Sequence, residues 1–564
     1  VIVGSTRKAT LGLRPYPTQN DNLCKGGKPP QAFFMVCCHR KKKDKGKQAA
    51  SSNAQLMQKG VIDNPGRIQD NYDIDRRRIG EGSFAQVFRA GSKSTGFERA
   101  VKVCNKKQSK HIPKFHEEIT ILKSVDHPFI LKYFESFEDS KYIYIITELC
   151  QGPEIFDLIV DSGHLTEWQS AVLMQQVFRA LAYMHGSGVC HRDLKPENLM
   201  LQFEDVVELN TVKIIDFGHA TFFKRSKETG KVDPMLSLKC GAPYYVAPQV
   251  LAGEYDHMCD IWSAGVLMFI VLCGYPPFLG ESDADVLDHV RLGNYEFNEA
   301  DWNNTSNEAK DLIRKLLKIN PAERWDGVQA LQSPWIKKFV PRDDEVPLKS
   351  TLIGSLKRYA KANLLRKCGL YNIAGTLNPQ ELKSAVDTFN TFDYEGDAQI
   401  GFEEISRGLQ AAGLHALPED LEDTINLMDS DGSGKVEFTE FLAATVEKRY
   451  LNEDNIWNAF RCFDYNGDGK ISQTELYRVL NKRTTEGENH CPRCHKEWDA
   501  PEPKGDICPK CNVKCVRQGC NVVTAKDVVK LMRSLDSQSD GFIDFPEFFA
   551  MMRGDENATL DRED

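Results

Sequence analysis

Four short stretches in the N-terminal half of this 564-residue chain carry residue types that can bind phosphate and move a proton. Gly80 and Gly82 lack side chains, so backbone amides beside them can approach phosphate oxygens, although such a loop alone is weak evidence. Lys102 strengthens it, as does Glu118, which follows sixteen residues later. Two aspartate-containing motifs further along make the set decisive, because the chance that all four stretches occur in this order is negligible. The stretches are "IGEGSFAQVF" (79–88), "RAVKV" (99–103), "HRDLKPEN" (191–198) and "DFG" (216–218).

In this order the motifs resemble those of the eukaryotic protein kinases, and the resemblance covers about residues 72–337. It implies a bilobal α+β fold that transfers the γ-phosphate of ATP to serine or threonine in proteins, since "DLKPEN" is the serine/threonine type. There are two departures. Ala85 replaces the third loop glycine, which is a tolerated variant. Gln249 replaces a glutamate that in the family pairs with an arginine, here expected to be Arg324, and this predicts a weaker activation segment rather than lost chemistry.

The resemblance implies a role for each matching polar residue, because phosphoryl transfer needs positioning and charge neutralisation more than covalent chemistry. Lys102 holds the α- and β-phosphates and is held in turn by Glu118. Asp193 orients the substrate hydroxyl and accepts its proton, and Lys195 neutralises the transferring phosphoryl group. The two expected magnesium ligands are Asn198 and Asp216.

The resemblance also implies the nucleotide cleft. Adenine is expected between apolar residues, with Thr147 as gatekeeper before the hinge at Glu148 and Cys150. Glu154 matches a family position that often receives a basic substrate residue. The remaining residues assigned to the cleft are Ile79, Gly80, Gly82, Val87, Ala100 and Met200.

Four twelve-residue loops later in the chain repeat a calcium-binding pattern, with oxygen ligands at positions 1, 3, 5, 7, 9 and 12 and glycine at position 6. Two fit throughout, and another fits except for the neutral ligand Gln538. The poorest has Ala398 at the glycine position and the longer Glu395 at position 3, so we expect it to bind calcium most weakly. They are loop one (393–404), loop two (429–440), loop three (464–475) and loop four (536–547).

An isolated loop of this kind could be an acidic surface turn, but four in register, each ending in glutamate, predict EF-hands. The expected calcium ligands are Asp393, Glu395, Asp397, Gln399 and Glu404 in loop one; Asp429, Asp431, Ser433, Lys435 and Glu440 in loop two; Asp464, Asn466, Asp468, Lys470 and Glu475 in loop three; and Asp536, Gln538, Asp540, Phe542 and Glu547 in loop four.

Loops three and four start 72 residues apart, twice the spacing of 36 and 35 residues between the other loops. About 36 residues are therefore inserted, and they contain two Cys-x-x-Cys pairs. Four thiolates at this spacing predict a closed, structural zinc site held by Cys491, Cys494, Cys508 and Cys511. A ligand could instead come from His490, His495, Cys515 or Cys520. Reduced thiols in a loose loop are the other interpretation.

A kinase, a basic connector and four calcium loops in one chain resemble the calcium-dependent protein kinases of plants and apicomplexan protists. The connector, "LIGSLKRYAKANLLRKCGLYNIAGTLNPQEL" (352–382), matches their autoinhibitory junction in placement and character. The resemblance implies that the junction blocks the kinase until calcium binds, so junction and EF-hands act as intramolecular regulators. A solvated amphipathic helix is the alternative. The apolar anchors are Leu352, Leu356, Tyr359 and Leu370, and the charges are Lys357, Arg358, Lys361, Arg366 and Lys367.

The predicted fold class is therefore multidomain: an α+β bilobal kinase fold followed by an all-α, calmodulin-like EF-hand domain with a small zinc-binding insert. The expected cofactors are ATP, Mg²⁺, Ca²⁺ and structural Zn²⁺. A catalytically silent, calcium-switched scaffold is the second function class, motivated by Gln249. The predicted boundaries are a flexible basic extension (1–71), the kinase (72–337), the junction (338–377), the EF-hand domain (378–553) with the insert (484–521), and an acidic tail (554–564).

Composition excludes some functions and indicates the cellular setting of the protein. A net charge of −9 argues against a general nucleic-acid binder, and the crowding of six of the seventeen cysteines into 491–520 favours a reducing, cytoplasmic setting. We expect neither a signal peptide nor a transmembrane span; "SAGVLMFIVLCG" (263–274) is too short and predicts a buried helix.

The N-terminal segment 33–47 leaves two interpretations open. Cys37 and Cys38 lie beside a lysine cluster, a pattern that suits palmitoylation with electrostatic attraction to anionic lipid. A flexible basic linker is the alternative. The chain begins at Val1 without a Met-Gly start, so we expect the natural N-terminus to lie upstream.

Overall fold

The computed structural model describes residues 62–63, 67–81, 85–107, 112–226, 232, 234–340, 352–377, 379–411, 418, 420–429, 434–464, 466–481 and 525–554. The insert with its proposed zinc ligands, the N-terminal pair Cys37 and Cys38, and the tail beyond residue 554 lie outside these residues. Three single predicted site residues also lie outside them: Gly82, Asp431 and Ser433.

A six-stranded sheet builds the N-terminal lobe in the order β1-β5-β6-β4-β3-β2. Within β4 the side chains alternate, so Ala100 and Lys102 share one face while Arg99 lies on the other. Regular structure begins before the predicted boundary at residue 72, because β1 pairs in parallel with β5. The elements are β1 (Ile62–Asp63), α1 (Ile68–Asn71), β2 (Tyr72–Glu81), β3 (Ala85–Ser92), β4 (Glu98–Asn105), α2 (Ile112–Ser124), β5 (Tyr133–Glu138) and β6 (Tyr142–Glu148).

Helices dominate the second lobe. The helices are α3 (Ile155–Ser162), α4 (Glu167–Gly186), α5 (Pro248–Ala252), α6 (Met258–Cys273), α7 (Asp283–Leu292), α8 (Glu299–Trp302), α9 (Asn307–Leu316), α10 (Gly327–Leu331) and α11 (Pro334–Phe339). Short strands between them carry the catalytic loop: β7 (Val189–Cys190), β8 (Leu199–Leu201), β9 (Val212–Ile214) and β10 (Thr221–Phe222). Helix α6 is buried from Met258 to Leu272, which confirms the buried helix predicted from its apolar run. Within the described part of the chain, no helix is long and apolar enough to cross a bilayer.

Ten helices follow the kinase lobes in the described residues. The junction forms α12 (Leu352–Lys361) and α13 (Leu364–Thr376). The EF-hand helices are α14 (Pro379–Phe392), α15 (Phe402–Ala411), α16 (Leu421–Met428), α17 (Phe438–Thr445), α18 (Glu453–Arg461), α19 (Gln473–Asn481), α20 (Ala525–Leu535) and α21 (Phe545–Arg553).

Short antiparallel strands join the calcium loops in pairs. In the first pair, β11 (Gln399–Ile400) lies beside β12 (Val436–Glu437). In the second, β13 (Lys470–Ser472) lies beside β14 (Phe542–Asp544), with Ile471 opposite Ile543. Both isoleucines are fully buried. The long insertion therefore leaves the pairing of loops three and four intact.

The junction packs between the EF-hands and the kinase. Its four predicted anchors are all buried, at 8% exposure or less. Helix α12 packs on α16 and α17, while α13 packs on α17, α18 and α21. The Thr376 carbonyl at the end of α13 accepts a hydrogen bond of 2.8 Å from the Arg99 guanidinium. Since Arg99 and Lys102 lie on opposite faces of β4, this end of the junction contacts the sheet face away from Lys102.

Candidate active site and calcium loops

A lysine between two carboxylates forms the centre of the cleft. Lys102 Nζ lies 2.5 Å from Glu118 Oε1 on α2 and 3.1 Å from Asp216 Oδ1. Burial alone would lower the pKa of Lys102, but Asp216 and Glu118 together raise it above its usual value. The same lysine holds the pKa of Asp216 well below its usual range. Burial raises the pKa of Glu118, and the Lys102 cation opposes that rise. Lys102 and Asp216 are therefore ionised at neutral pH and can face a charged ligand.

The catalytic loop places Asp193 among donors. Lys195 Nζ lies 2.8 Å from Asp193 Oδ2. The Asn198 amide donates to the Asp193 carbonyl at 2.7 Å and to its Oδ2 at 3.1 Å, so the Asn198 carbonyl oxygen faces away from these bonds. Asp193 is 7% exposed. These contacts fix the carboxylate in one orientation, as a group that accepts a proton from a bound hydroxyl requires.

Asp260 on α6 anchors this loop, and sequence reasoning did not assign it a role. Its buried carboxylate accepts backbone N–H bonds from His191 at 2.8 Å and Arg192 at 2.7 Å, and it lies 2.9 Å from His185 Nε2. The available signal was an aspartate within an otherwise apolar helix, "MCDIWSAGVLMFIVLC". An acid in such a helix needs partners, and here they are the catalytic-loop amides.

Two residues of the candidate active site have a strained backbone. Arg192 has φ of 67° and Asp216 has φ of 57°, both in the left-handed region that non-glycine residues seldom adopt. Such conformations persist only where surrounding contacts enforce them, and they cluster at functional sites. Arg192 is held by a 2.6 Å bond from its Nε to the His219 carbonyl.

The residues assigned to adenine form one small apolar cluster, separate from the main core. Thr147 is buried at its edge, with 2% exposure. Gly80 at the end of β2 lies opposite Val87 in the sheet register. The cluster contains Val87, Ala100, Leu131, Cys150, Met200 and Ile215, and Ile79 and Leu149 pack against it. The predicted apolar residues therefore meet in one place, together with three that the sequence interpretation did not include.

The side chain of Glu148, a residue assigned to the nucleotide cleft, is bound by other protein groups. Its carboxylate accepts hydrogen bonds from the Lys132 backbone N–H at 2.6 Å and the Gln202 amide at 2.9 Å, and Lys213 Nζ lies 2.9 Å away. The buried carboxylate is occupied by protein partners, so only the Glu148 backbone remains to contact adenine.

Gln249 keeps a contact with the arginine predicted from the resemblance. Arg324 Nη2 donates to Gln249 Oε1 at 3.3 Å. The buried guanidinium also donates to the Met258 carbonyl at 2.6 Å and the Lys318 carbonyl at 2.7 Å, and burial lowers the pKa of Arg324 to about 10. The Gln249 amide in turn donates to the Ile319 carbonyl. Carbonyl groups thus satisfy a cation that has lost its carboxylate partner.

The calcium loops are folded around their first and last carboxylates. In loop three, Asp464 accepts backbone bonds of 2.8 Å from Gly467 and Gly469, while Glu475 accepts from Asn466 at 3.1 Å. Equivalent bonds reach Asp536 and Glu547 in loop four. Their carboxylates already converge, which is the arrangement that calcium loops require.

Loop one has the same turn despite its alanine. Ala398 takes φ of 56° at the position where the other loops have glycine, as in Gly469 with φ of 85°. Asp393 still accepts backbone bonds from Gly396 at 2.7 Å and Ala398 at 3.2 Å. The loop therefore adopts a calcium-loop conformation at the cost of a strained alanine.

Comparisons with known proteins match this architecture. Residues 74–336 match the protein kinase domain model, 382–446 the EF-hand domain pair and 458–480 the EF hand. The chain is 37% identical over 512 residues to calcium-dependent protein kinase 3 of Plasmodium berghei (strain Anka), covering 90% of this chain and 85% of the relative. It is 33% identical over 491 residues to calcium-dependent protein kinase 7 of Arabidopsis thaliana, covering 86% and 83%.

Calcium-dependent protein kinase 3 of Plasmodium yoelii yoelii is 40% identical over 435 residues, covering 77% of this chain and 79% of the relative. These relatives span the kinase, junction and EF-hand regions whose geometry is described above. With Lys102 held between two carboxylates, with Asp193 held by Lys195 and Asn198, and with paired EF-hand loops, the chain belongs to the calcium-dependent protein kinases, which are calcium-activated serine/threonine protein kinases.

Proposed function

We propose that Asp193 is the catalytic base, that Lys195 neutralises the transferring phosphoryl group, and that Lys102 holds the α- and β-phosphates of ATP. The observation that carries this is the pair of contacts from Lys102 to Glu118 and Asp216, because they hold the β4 cation between α2 and the "DFG" segment. The Asp193 carboxylate is fixed close by through Lys195 and Asn198.

Magnesium fits the two oxygen atoms of Asp216 and Asn198 that the described hydrogen bonds leave available. The described contacts of Asp216 involve Oδ1, and the Asn198 amide nitrogen faces Asp193, so Asp216 Oδ2 and Asn198 Oδ1 are the oxygens suited to a hard cation. Bound Mg²⁺ would neutralise phosphate charge during transfer. The adenine ring would lie in the apolar cluster around Ala100 and Met200.

We propose that calcium acts through the EF-hands and the junction, with the domain boundaries predicted from the sequence. The junction anchors are buried against the EF-hand helices, so a calcium-dependent change in those helices would move α12 and α13 directly. In the absence of calcium, the junction would cover the substrate cleft instead.

A peptide phosphorylation assay with calcium and with a calcium chelator tests this regulation. We expect activity with micromolar free calcium and little activity with chelator, because only the calcium-bound EF-hands would retain the junction. Equal activity under both conditions would contradict regulation by calcium. No activity under either would favour the catalytically silent scaffold.

Glu154 gives the substrate site a pH dependence. Burial first, and then Asp157 and Glu197, raise the pKa of Glu154 to about 7. The carboxylate is therefore charged above pH 7 and neutral below it, so a basic substrate residue should bind better above pH 7. We expect KM for a basic peptide to rise by up to about tenfold per unit as the pH falls through 7.

The control for this prediction is Glu154→Gln, which keeps the size of the side chain but cannot ionise. Steady-state KM is measured between pH 6 and pH 8 with basic and neutral peptides. A neutral peptide, or the Gln variant with either peptide, should show no such rise. Identical pH profiles for both peptides on the unmodified enzyme would show that Glu154 does not recognise the basic residue.

We also propose that the insert binds one structural zinc through Cys491, Cys494, Cys508 and Cys511. The support is their spacing together with the observed pairing of β13 and β14, which flank the insertion and must stay close together. Zinc would hold the insert compact, because the insert has little apolar core to fold it.

Elemental analysis of protein purified under reducing conditions is expected to find one zinc per chain. A strong zinc chelator should remove it and loosen the loop three–loop four lobe, while ATP binding survives. Cys491→Ser should lose the metal, whereas Cys368→Ser, on α13, should retain it. If the purified protein contained no zinc, the insert would instead be interpreted as a loose loop with reduced thiols.

Membrane association of segment 33–47 also remains a prediction. The proposal that Cys37 and Cys38 promote membrane association rests on their basic neighbours alone.

A further inference from the structure

Two buried thiols lie beneath the catalytic loop. Cys190, in β7, comes directly before the loop, and Cys259, on α6, comes directly before Asp260. The two cysteines are 0% and 5% exposed, and their sulfur atoms lie 3.6 Å apart without forming a disulfide. The phosphoryl transfer described above uses neither thiol. The kinase core therefore contains a pair of thiols for which the proposed function gives no role.

A buried carboxylate completes a set of three metal-ligand atoms. Cys190, Cys259 and Asp260 each offer one atom, and these atoms all lie within 4.8 Å of one another. Cys259 Sγ is 3.9 Å from Asp260 Oδ1. His185 Nε2 lies 2.9 Å from Oδ2 of the same carboxylate, and such a partner fixes the orientation of a metal ligand. Two sulfur ligands and one oxygen ligand suit zinc.

The separation of the two sulfur atoms fits a metal better than a disulfide. Two Zn–S bonds of about 2.3 Å at a tetrahedral angle place their sulfur atoms about 3.8 Å apart, close to the 3.6 Å observed. A disulfide bond is about 2.05 Å long, so the sulfur atoms would have to approach each other by roughly 1.5 Å. Both cysteines belong to the packed core, which resists such a movement. The geometry therefore favours metal binding over oxidation, with water as the fourth zinc ligand.

An entry path to the thiols starts at the activation segment. Cys240, which is partly exposed, lines a small cavity together with Cys259 and Arg192. Burial first, and then Cys259 and Asp260, raise the pKa of the Cys190 thiol, so zinc has to displace protons. Each S–H bond breaks as a Zn–S bond forms, and two protons leave to solvent. This cost makes the site weaker than one built from ionised thiols, so it fills only when free zinc rises.

We propose that Cys190, Cys259 and Asp260 form an inhibitory zinc site in the kinase core. The Asp260 carboxylate holds the catalytic loop, because Oδ1 accepts the Arg192 backbone N–H at 2.7 Å and Oδ2 accepts that of His191 at 2.8 Å. Zinc bound to Oδ1 competes with the Arg192 amide and draws the carboxylate toward the two sulfur atoms. The loop then loses its hold on α6, and transfer slows. This site is separate from the nucleotide cleft, the calcium loops and the cysteine insert.

Zinc binding by the full chain tests the site without using activity. Equilibrium dialysis against zinc chloride is carried out at saturating calcium with a phosphine reductant, which keeps the thiols reduced. Cys190→Ala and Cys259→Ala should each bind one zinc ion fewer than the unmodified protein. Cys273→Ala, which removes another cysteine of α6, is the matched control and should bind the same number. Because the variants are compared with one another, zinc held by the insert or by the calcium loops does not affect the difference.

Single-turnover phosphorylation at increasing zinc concentration tests the inhibition. We expect the zinc concentration for half-inhibition to rise at least about tenfold in Cys190→Ala and in Cys259→Ala, while Cys273→Ala is inhibited like the unmodified protein. The two variants alter different elements, so either one that retains Mg-ATP binding decides the result. Equal zinc binding by all four proteins would overturn the site. One ion fewer without any change in inhibition would overturn its inhibitory role.

Discussion

Asp193→Asn is expected to reduce phosphoryl transfer by about 10²- to 10⁴-fold, the range that a positioned general base contributes. The amide cannot accept the proton of the substrate hydroxyl. It also removes the negative charge 2.8 Å from Lys195 Nζ, so that lysine loses its orienting partner. Nucleotide affinity should change little, because the 3.1 Å contact between Lys102 and Asp216 does not involve Asp193.

Single-turnover phosphorylation and nucleotide binding by calorimetry separate these two effects. Asp288→Asn, an exposed aspartate on α7, is the matched control and should retain full activity. Unchanged phosphoryl transfer by Asp193→Asn would contradict the assignment of Asp193 as the catalytic base. Loss of nucleotide binding in that variant would mean that the carboxylate supports the cleft as a whole.

The second large effect is expected at the last glutamate of loops two, three and four. Glu440, Glu475 and Glu547 each accept a backbone N–H bond near the start of the exit helix, of 2.9, 2.9 and 3.1 Å respectively. An EF-hand glutamate at this position binds calcium with both oxygens. Replacing it with glutamine removes one charged oxygen while an acceptor for the backbone remains. We expect each Glu→Gln change to raise the free calcium for half-maximal activity by about tenfold or more.

Kinase activity measured across buffered free calcium checks this, with calorimetry as the direct measure of binding. Glu403→Gln, at the exposed position before the last glutamate of loop one, is the matched control and should leave the calcium requirement unchanged. A normal calcium response in Glu475→Gln or Glu547→Gln would show that the second lobe does not control activation. Calorimetry that makes loop one the tightest site would contradict the ranking of the loops.

Much of the active site follows from the sequence because its residues have local, stereotyped positions. Lys102 and Ala100 share a strand face by simple alternation, and the motif around Asp193 fixes Lys195 and Asn198 within one turn. The calcium loops are likewise local: one twelve-residue segment supplies all the ligands of a site. The buried α6 was also predictable, because its apolar run leaves no face for solvent.

Contacts between distant segments were not predictable. Asp260 has its role only because α6 carries it beneath the catalytic loop, 69 residues away along the chain from His191. The side chain of Glu148 turns from the cleft because Lys213 and Gln202 meet it on the far side. No local pattern records either contact, since both depend on how separate elements pack.

The sequence by itself therefore determined the class of chemistry of this protein: a serine/threonine kinase followed by EF-hands, with candidate residues for each. Only the tertiary structure decided where the EF-hand domain packs on the kinase and which residues meet there. Arg179 and Asp393 lie 214 residues apart and each resembles an ordinary charged residue in its own segment. Folding brings them together, because a buried charge needs a partner, and the contact joins a kinase helix to the first calcium loop.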